Sequence, residues 1–542
     1  MAIGTGGDAL VAGLRVHGID TVFGIPGAQT YGLFDAIHRS DIQLIGARHE
    51  QACGYMAYGY ARATGRPSAF TVVPGPGVLN AGAAALTALG CNEQVLCLTG
   101  QVPTGFLDRG SGHLHEMPNQ LLTLRSIYKH ATRVESPGDA GLAVALAFQT
   151  MHAGRPGPAA IEMPWDIFTQ TAELGPPLLL PRLPSPPVDT DRIQDAARLI
   201  AASKAPMIFV GSGAMDAGDG ILSLAERLQA PVVAFRSGRG IVSNAHQLGL
   251  TIAEAYQLWQ DTDLVIGIGT RLEVPRWRWS HRPSGQKTIR IDIDPAEMHR
   301  SPPDVGIIAD AREATLALIV ALEREQSTAR NRLPAIRRAR ETTAQQIRDI
   351  QPQVGYLEAL RSALPAEGIV TDELSQVGFA SWYGFPVYQP RTFITSGYQG
   401  NLGSGFPTAL GAKVAFPSRP VVAICGDGGF MFGVQELATA AQYGINLIIL
   451  LFNNNAYGNV LRDQMTGFDG RITGAILKNP DFIQLAQAFD IRAERVRTPE
   501  QFTRVLDLAI NSNQPWLVEI EVETNAETSP WRFIQPSRSA TP

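Results

Sequence analysis

The stretch VVAICGDGGF, residues 421–430, joins a strand pattern to a glycine-rich turn. Its five leading apolar residues are typical of a strand that is buried on both faces of a parallel sheet. Helical spacing predicts a helix after the turn, with a buried stripe formed by Val434, Leu437, Ala438 and Ala441. A second apolar strand, Leu447–Phe452, then ends in Asn453-Asn454-Asn455. This order predicts a βαβ unit whose two strands end in polar residues at one sheet edge.

The same alternation extends outward from this unit over three segments, residues 1–172, 188–330 and 350–542. Strand patterns in the first segment are Thr21–Ile25, Gln43–Ala47, Ala69–Val73 and Gln94–Leu98. Those in the second are Met207–Val210, Val232–Phe235, Leu264–Ile268 and Thr288–Ile293. The third adds Ile369–Thr371, Thr392–Thr395 and Leu517–Val522. Because the stretch Gly175–Pro187 holds six prolines, we expect an extended linker there. We therefore predict an α/β protein with three doubly wound parallel-sheet domains.

Composition and charge exclude several classes of partner. The net charge is −5 and no block of Lys and Arg stands out, which argues against nucleic acid. The longest apolar run, Leu447–Phe452, is too short to span a bilayer, so no membrane partner is predicted. No signal-peptide pattern opens the chain and its four cysteines form no CxxC pair, so we expect a cytoplasmic location.

The turns after the two strands offer groups that suit a metal-bound phosphate. Glycines let a backbone approach phosphate closely, and a helix N-terminus favours negative charge. Asp427 lies 27 positions before Asn454, and each supplies a hard oxygen ligand that suits Mg²⁺ or Ca²⁺. The alternative is a tight turn and an unrelated loop. The pairing of both turns on neighbouring strands favours the phosphate interpretation.

This arrangement resembles the diphosphate-binding signature of thiamine-diphosphate enzymes, above all the acetolactate synthase, pyruvate oxidase and benzoylformate decarboxylase group. The likeness runs from Ala9 to Glu523. It implies a pyrimidine-binding N-terminal domain, a central Rossmann-like domain and a diphosphate-binding C-terminal domain. It also implies that Asp427, Asn454 and the carbonyl of Ala456 bind Mg²⁺. Further cofactor-binding residues implied by it are Pro76, Asn80, Ser375, Gln376, Gly400, Leu402, Gly428, Gly429, Tyr457 and Gly458.

Glu50 is the expected catalytic acid. The segment RHEQACGYMAYGYARATG, residues 48–65, is similar to the pyrimidine-domain motif of the same group. The resemblance implies that Glu50 protonates N1′ of the cofactor's aminopyrimidine, which helps to remove the proton from C2. The alternative is an ordinary helix-start glutamate that the helix dipole favours. Leu402, between Gly400 and Gly403, matches the apolar wedge that bends the cofactor, with core packing as its alternative.

Gln29 and His115 are the other expected catalytic residues, and by resemblance both face the thiazolium ring. Acetolactate synthases usually have Phe-Gln-Glu where this chain has Leu114-His115-Glu116. A histidine can relay protons near neutral pH, whereas a glutamine only hydrogen bonds. The alternatives for His115 are a surface-loop residue or half of a zinc site, for which the sequence shows no further ligands. Arg462 is interpreted either as a partner for a substrate carboxylate or as a solvent-facing arginine.

The second segment carries two short glycine motifs, Gly211-Ser212-Gly213 and Gly238-Arg239-Gly240, which could line a nucleotide pocket. Flavin-binding relatives carry an Asp-Asp-Arg-like element after the strand that matches Leu264–Ile268. Residues 269–274 read GTRLEV instead, so we predict that FAD is not a cofactor.

The expected activity is a thiamine-diphosphate- and Mg²⁺-dependent decarboxylation of a 2-oxo acid, with or without carboligation to an aldehyde or ketone. One alternative is a flavin-dependent 2-oxo acid oxidase. Another is a non-catalytic cofactor-binding subunit, against which the presence of Glu50, Asp427 and Asn454 argues. By resemblance, Glu50 of one subunit faces Asp427 of another. We therefore expect a homodimer as the smallest active unit and a homotetramer as the assembly.

Overall fold

The described part of the chain folds into three parallel sheets of six strands each and one small antiparallel pair. The computed structural model describes residues 2–279, 281–326, 328 and 330–536. Each large sheet is covered by helices on its faces, as all-parallel sheets require. The predicted α/β fold with three parallel-sheet domains is confirmed.

The N-terminal domain contains strands β1–β8 and helices α1–α7. Its strands are β1 Ala2–Thr5, β2 Thr21–Gly24, β3 Gln43–Gly46, β4 Ser68–Val72, β5 Val95–Gln101, β6 His130–Arg133, β7 Ala159–Pro164 and β8 Thr171–Leu174. Its helices are α1 Gly6–Val16, α2 Tyr31–His38, α3 Glu50–Thr64, α4 Pro76–Cys91, α5 Gln120–Ile127, α6 Ala140–His152 and α7 Trp165–Thr169. The parallel sheet has the order β3-β2-β4-β5-β7-β6, while β1 pairs antiparallel with β8. Every residue of β4, β5 and β7 is buried, because helices cover both faces.

The central domain repeats this architecture with the strand order β11-β10-β9-β12-β13-β14. Its strands are β9 Pro206–Val210, β10 Val232–Ala234, β11 Gly249–Leu250, β12 Leu264–Ile268, β13 Lys287–Asp292 and β14 Val305–Ile308. Its helices are α8 Thr190–Ala202, α9 Gly218–Leu228, α10 Ile252–Tyr256, α11 Ala296–Arg300 and α12 Ala311–Leu322, followed by α13 Leu333–Ile347. Residues 175–187 form neither helix nor strand, which confirms the predicted linker.

The C-terminal domain has the strand order β16-β15-β17-β18-β20-β19. Its strands are β15 Ile369–Thr371, β16 Phe393–Ile394, β17 Val421–Gly426, β18 Ile448–Asn453, β19 Arg492–Val496 and β20 Trp516–Glu521. Its helices are α14 Gln353–Ala363, α15 Gln376–Gly384, α16 Gly405–Ala415, α17 Asp427–Phe430, α18 Leu437–Tyr443, α19 Gly458–Gly467, α20 Phe482–Ala488, α21 Pro499–Asn511 and α22 Trp531–Ile534. Because β17 and β18 are parallel neighbours, Asp427 and Asn454 follow them at the same sheet edge.

The N-terminal and C-terminal domains meet along helices α3 and α16. A Cβ on Gly59 would overlap the carbonyl of Thr408, and one on Gly411 would overlap the carbonyl of Met56. The two helix backbones therefore approach more closely than any side chain would allow. This contact fixes the N-terminal end of α3, where Glu50 lies, relative to the C-terminal sheet.

The prediction of a helix after the glycine turn is wrong about the extent of the helix and about which of its faces is buried. It is divided into α17, one 3₁₀ turn at Val434–Glu436, and α18. Ala441 is exposed and Val434 is half-buried, whereas Glu436, Thr439 and Ala440 are buried with Leu437. The break between the two helices turns this different face toward the N-terminal domain, which supplies its contacts.

Some elements were not predicted from the sequence. Three of the five residues of strand β19 are charged and the strand lies at a sheet edge, while β6 and β14 are too short to show a clear period. The predicted domain boundaries near residues 172, 188, 330 and 350 stay predictions. No helix in the described part of the chain has the length and hydrophobicity that a membrane span requires. The cytoplasmic location also stays a prediction.

Candidate active site

Asn479 joins the two turns that the sequence singles out. Its Nδ2 donates to Oδ2 of Asp427 over 2.7 Å and to Oδ1 of Asn453 over 2.9 Å. Asp427 is the first residue of α17 and is buried. Burial raises the pKa of its carboxyl, while hydrogen bonds from Asn479 and from the Gly428 and Ala456 N–H groups oppose that rise. A buried carboxylate in such a position is suited to binding a cation.

Both the nitrogen and the oxygen of the Asn454 side-chain amide are hydrogen-bonded. Its Nδ2 donates to Oε2 of Glu527 over 2.6 Å, and its Oδ1 accepts from the N–H of Ala456 over 3.0 Å. The structure thus brings Asp427, Asn454 and Ala456 together. Their donor set is one carboxylate, one amide oxygen and one main-chain carbonyl, all hard oxygens that fit Mg²⁺. Among the described residues, no three His, Cys, Asp or Glu side chains cluster as a protein-only metal site would require.

Arg462 donates hydrogen bonds to two residues that adjoin this site. Its Nη1 donates to Oε1 of Gln376 and its Nη2 to the carbonyl of Glu527, each over 2.7 Å. The guanidinium is half-buried and donates to protein acceptors, so the solvent-facing interpretation of Arg462 is wrong, while its pairing with a substrate carboxylate stays a prediction. Glu527 is buried, and burial raises the pKa of its carboxyl to about 7.

Glycines are needed where the two turns pack closely against neighbouring side chains. A Cβ on Gly428 would overlap the Tyr457 ring, and one on Gly458 would lie 2.8 Å from Nδ2 of Asn454. Ser375 caps α15, since its hydroxyl accepts from the N–H of Gly378 over 3.0 Å. The predicted diphosphate residues thus lie at the ends of neighbouring elements: Gly428 packs on Tyr457, Gly458 on Gln376 and Gly429 on Glu373, and Ser375 lies beside Gly426.

The loop that carries Leu402 is shaped by its glycines. Gly400 and Gly403 have φ of +55° and +77°, a region that favours glycine. The N–H of Gly403 donates to Oε1 of Glu373 over 2.5 Å, which anchors the loop beside β15. Leu402 itself is half-buried, so it is not an ordinary core residue.

Gln29 and His115 form a pair in the N-terminal domain. Oε1 of the fully buried Gln29 lies 3.1 Å from Nδ1 of His115, and its Nε2 donates to the carbonyl of Leu114 over 2.8 Å. This arrangement selects the tautomer with hydrogen on Nδ1 and leaves Nε2 as an acceptor. A Cβ on Gly75 would lie 2.6 Å from the His115 carbonyl, so the loop that carries His115 packs against the start of α4 at Pro76.

Glu50 is the first residue of α3 and is half-buried. The ring nitrogen of His49 caps the helix by accepting from the N–H of Gln51 over 3.1 Å. Oε2 of Glu50 accepts from Nδ2 of Asn80 over 3.1 Å. The N-terminal candidates thus lie near one another, but in the described part of the chain no hydrogen bond joins them to the Asp427–Asn454 group.

A cavity of about 870 Å³ lies between the three domains. Gly211-Ser212-Gly213 and Arg271 line it, and the guanidinium of Arg236 pairs with Glu273 at its wall. Gly238-Arg239-Gly240 does not line it, so that part of the prediction is wrong. Arg239 instead donates to the carbonyls of Ser381 and Phe385, which joins the central domain to the C-terminal domain.

Three family models match consecutive parts of the chain. They are the N-terminal, central and C-terminal domains of thiamine pyrophosphate enzymes, over residues 4–122, 193–318 and 374–520. A protein named probable 2-ketoarginine decarboxylase, from Pseudomonas aeruginosa, is 32% identical over 95% of this chain and 94% of its own length. The chain belongs to the thiamine pyrophosphate enzyme family.

Other relatives in the thiamine pyrophosphate enzyme family are acetolactate synthases. The isozyme 1 large subunit of Escherichia coli is 29% identical over 99% of this chain and 97% of its own length. A probable acetolactate synthase large subunit of Methanocaldococcus jannaschii is 32% identical over 96% and 92%. The resemblance to this group is thereby confirmed.

Two buried polar atoms support the fit of a thiamine pyrophosphate cofactor to this chain. Among the described residues, Nε2 of Gln376 and Oε2 of Glu373 have no hydrogen-bond partner. Buried polar groups are rarely left unpaired in a folded protein. Gln376 begins α15 beside Gly458, where its amide could donate to a bound diphosphate. The residues present therefore fit the cofactor.

Three residues of the candidate site, Glu373, Asn479 and Glu527, were not predicted from the sequence. Glu373 follows β15 at the carboxyl end of the sheet, so the rule that identified Asp427 could have found it. Asn479 and Glu527 lie in polar loops without a periodic pattern. No local signal distinguishes them from ordinary loop residues.

Proposed function

We propose that this chain is a thiamine-diphosphate- and Mg²⁺-dependent enzyme that decarboxylates 2-oxo acids, with or without joining the acyl fragment to an aldehyde or ketone. The observation that carries the proposal is the joining of Asp427 to the Asn453–Asn455 turn through Asn479. This arrangement places hard oxygen ligands for a metal close to the N-terminus of α15, where negative charge is favoured.

Each group of residues has a distinct task in this proposal. Asp427, Asn454 and the Ala456 carbonyl hold Mg²⁺, while Gln376 and the N-terminus of α15 bind the diphosphate. When bound, the cofactor supplies a nucleophilic carbon for the 2-oxo group and accepts the electron pair that CO₂ leaves behind. Leu402 would support the bound cofactor as an apolar wedge.

Glu50 holds a proton at N1′ of the aminopyrimidine. The Gln29–His115 pair presents an acceptor nitrogen, Nε2 of the imidazole, on the same side of the N-terminal domain. We assign His115 to proton transfer at the substrate, because imidazole can gain and lose a proton near neutral pH. Gln29 keeps the ring orientation and the tautomer constant.

The proposed active unit is a homodimer, within a homotetramer. In the single chain, large apolar side chains are exposed both near the N-terminal candidate residues and near the Asn turn of the C-terminal domain. Beside Glu50 and His115 they are Leu79 and Leu114, and beside the Asn turn they are Val460, Phe468, Ile472 and Ile476. Exposed apolar surface of this kind is typical of protein interfaces. Pairing of the two surfaces across a two-fold axis would bring Glu50 of one chain to the diphosphate site of another.

The class of donor substrate is inferred from the reactions that the relatives' names state. A 2-ketoarginine decarboxylase and the acetolactate synthases differ in donor and in the fate of the acyl fragment. We therefore expect a 2-oxo acid as donor and assign no single one. No observation favours a flavin-dependent oxidation. The presence of Glu50 together with the complete Asp427 group argues against a non-catalytic subunit.

Product profiling tests the proposal directly. The purified protein, with thiamine diphosphate and Mg²⁺, is incubated with pyruvate, 2-ketoarginine, longer aliphatic and aromatic 2-oxo acids, alone and with aldehydes. Mass spectrometry should detect CO₂ loss from at least one donor, and the Glu50→Gln and Asp427→Ala variants should lose that activity. Parental turnover by Glu50→Gln, or no turnover of any donor, would contradict the proposal.

A further inference from the structure

We infer that Glu436 is a positioning residue for Glu50, acting from the C-terminal domain on the loop that leads to Glu50 in the same chain. This inference rests on the proposed function of Glu50. Glu436 is fully buried and lies in the 3₁₀ turn before α18. Its Oε1 and Oε2 accept from the N–H of Arg48 over 3.1 and 3.2 Å.

Neighbouring residues of α18 hold the same loop. The N–H of Gly46 donates to the hydroxyl of Tyr443 over 2.9 Å, and Nη2 of Arg48 donates to Oε1 of Gln442 over 2.7 Å. The hydroxyl of Thr439 donates to Oε2 of Glu436 over 2.6 Å, which fixes the carboxylate. Residues 436–443 thus bind the loop 46–48, and we call this set of contacts the loop clamp.

The loop clamp leaves little freedom for Glu50. A Cβ on Gly46 would lie 3.0 Å from the hydroxyl of Tyr443, so the loop and α18 are already in close contact. Glu50 follows Arg48 by two residues and begins α3, so a shift of the Arg48 backbone carries the carboxyl of Glu50 with it. A misplacement of about 1 Å can cost about a hundredfold in rate.

The loop clamp also lies on the element that begins with the metal-binding turn. Asp427 opens α17, and the chain continues through Glu436 into α18. In the proposed dimer, Asp427 and Glu50 of one chain serve different active sites. The segment 427–443 would then contact the diphosphate in one active site through Asp427. Through Glu436, the same segment would position Glu50 for the other active site.

A double-mutant cycle separates positioning from a general structural role. Its variants are Glu436→Gln, Glu50→Gln and the combination, with exposed Glu367→Gln as control. The readout is the rate at which the cofactor's C2 proton exchanges with deuterium, which needs no donor substrate. We expect Glu436→Gln to slow exchange by about ten- to a hundredfold in the parent and by less than about twofold when Glu50→Gln is already present.

Hydrogen–deuterium exchange of the cofactor-free protein provides a second readout. Peptides covering residues 44–52 should exchange faster in Glu436→Gln, because the Arg48 N–H loses its charged acceptor. Should Glu436→Gln fail to fold, Thr439→Val tests the same point, since it removes the 2.6 Å bond that fixes the carboxylate and, besides that, only the long 3.5 Å contact of the hydroxyl with the Gly46 carbonyl.

Equal slowing of C2 exchange by Glu436→Gln in the parent and in the Glu50→Gln variant would overturn the inference, as would parental exchange in Glu436→Gln. These results would leave the proposed function intact, because parental activity on 2-oxo acids is measured separately. Parental C2 exchange in Glu50→Gln would overturn the role of Glu50 and this inference with it.

Discussion

The side-chain amide of Asn454 donates to Oε2 of Glu527 over 2.6 Å, so a residue 73 positions further along the chain orients a proposed metal ligand. Arg462 holds the backbone of Glu527 in turn. Removal of a group that orients a metal ligand commonly lowers the affinity for the metal substantially. Glu527, in the loop after β20, is therefore a buried part of the candidate site.

Removal of the Glu527 carboxyl should weaken cofactor binding. In Glu527→Ala, Asn454 loses the acceptor that orients its amide, and we expect Mg²⁺-dependent binding of thiamine diphosphate to weaken by about 10- to 100-fold. Quenching of tryptophan fluorescence during a cofactor titration measures this. Glu523→Ala is the matched control, because Glu523 is exposed in the same loop. Equal affinities of parent and Glu527→Ala would contradict the assignment.

His115 should contribute to turnover far more than to folding. We expect His115→Ala to lower kcat/KM by about 10²- to 10⁴-fold, the usual contribution of a general acid or base. The melting temperature should change little, since His115 is only half-buried. Steady-state kinetics on the best donor measures the effect, with exposed His38→Ala as control. A loss below about threefold would remove His115 from the proposed mechanism.

Glu373 should make the stability of the cofactor-free protein depend on pH. Burial raises the pKa of its carboxyl from 4.5 to about 7. The folded state therefore binds this proton more tightly than the unfolded state does. The resulting stabilisation is fully present below pH 4.5 and is lost as the pH rises through about 7.

Replacement by glutamine tests this dependence. Glu373→Gln keeps the size of the side chain but cannot ionise, so its free energy of unfolding should fall less steeply between about pH 4.5 and 7 than that of the parent. Denaturant unfolding of cofactor-free protein at several pH values provides the measurement. Parallel pH profiles for parent and variant would show that Glu373 does not titrate in this range.

The packing of α3 on α16 should not tolerate a single added methyl group. In Gly411→Ala the new Cβ would overlap the Met56 carbonyl, so we expect the free energy of unfolding to fall by at least about 2 kcal/mol. Gly141→Ala in α6 is the control, because nothing lies near its new Cβ. That change should stabilise the protein by up to about 1 kcal/mol. Similar denaturation midpoints for the two variants would contradict the packing argument.

The parallel sheets and the central part of the site could be predicted from the sequence. Apolar runs such as Val421–Gly426 and Leu264–Ile268 are buried on both faces, so the local pattern alone indicates a strand. The glycine turn and the Asn turn follow two such strands directly. Parallel strands place their carboxyl ends at one edge, so the proximity of Asp427 and Asn454 follows from local order.

The sequence by itself determined the three-domain α/β architecture and the paired turns, because both depend on short-range spacing, and its motifs indicated the family by resemblance. Only the tertiary structure decided that Glu436 reaches Arg48, that Glu527 holds Asn454 and that Arg462 faces inward. These contacts join residues far apart in the chain, and no local period specifies which polar side chain meets which. The burial of a charge depends on the domain packed against it, and that is settled when the whole chain folds.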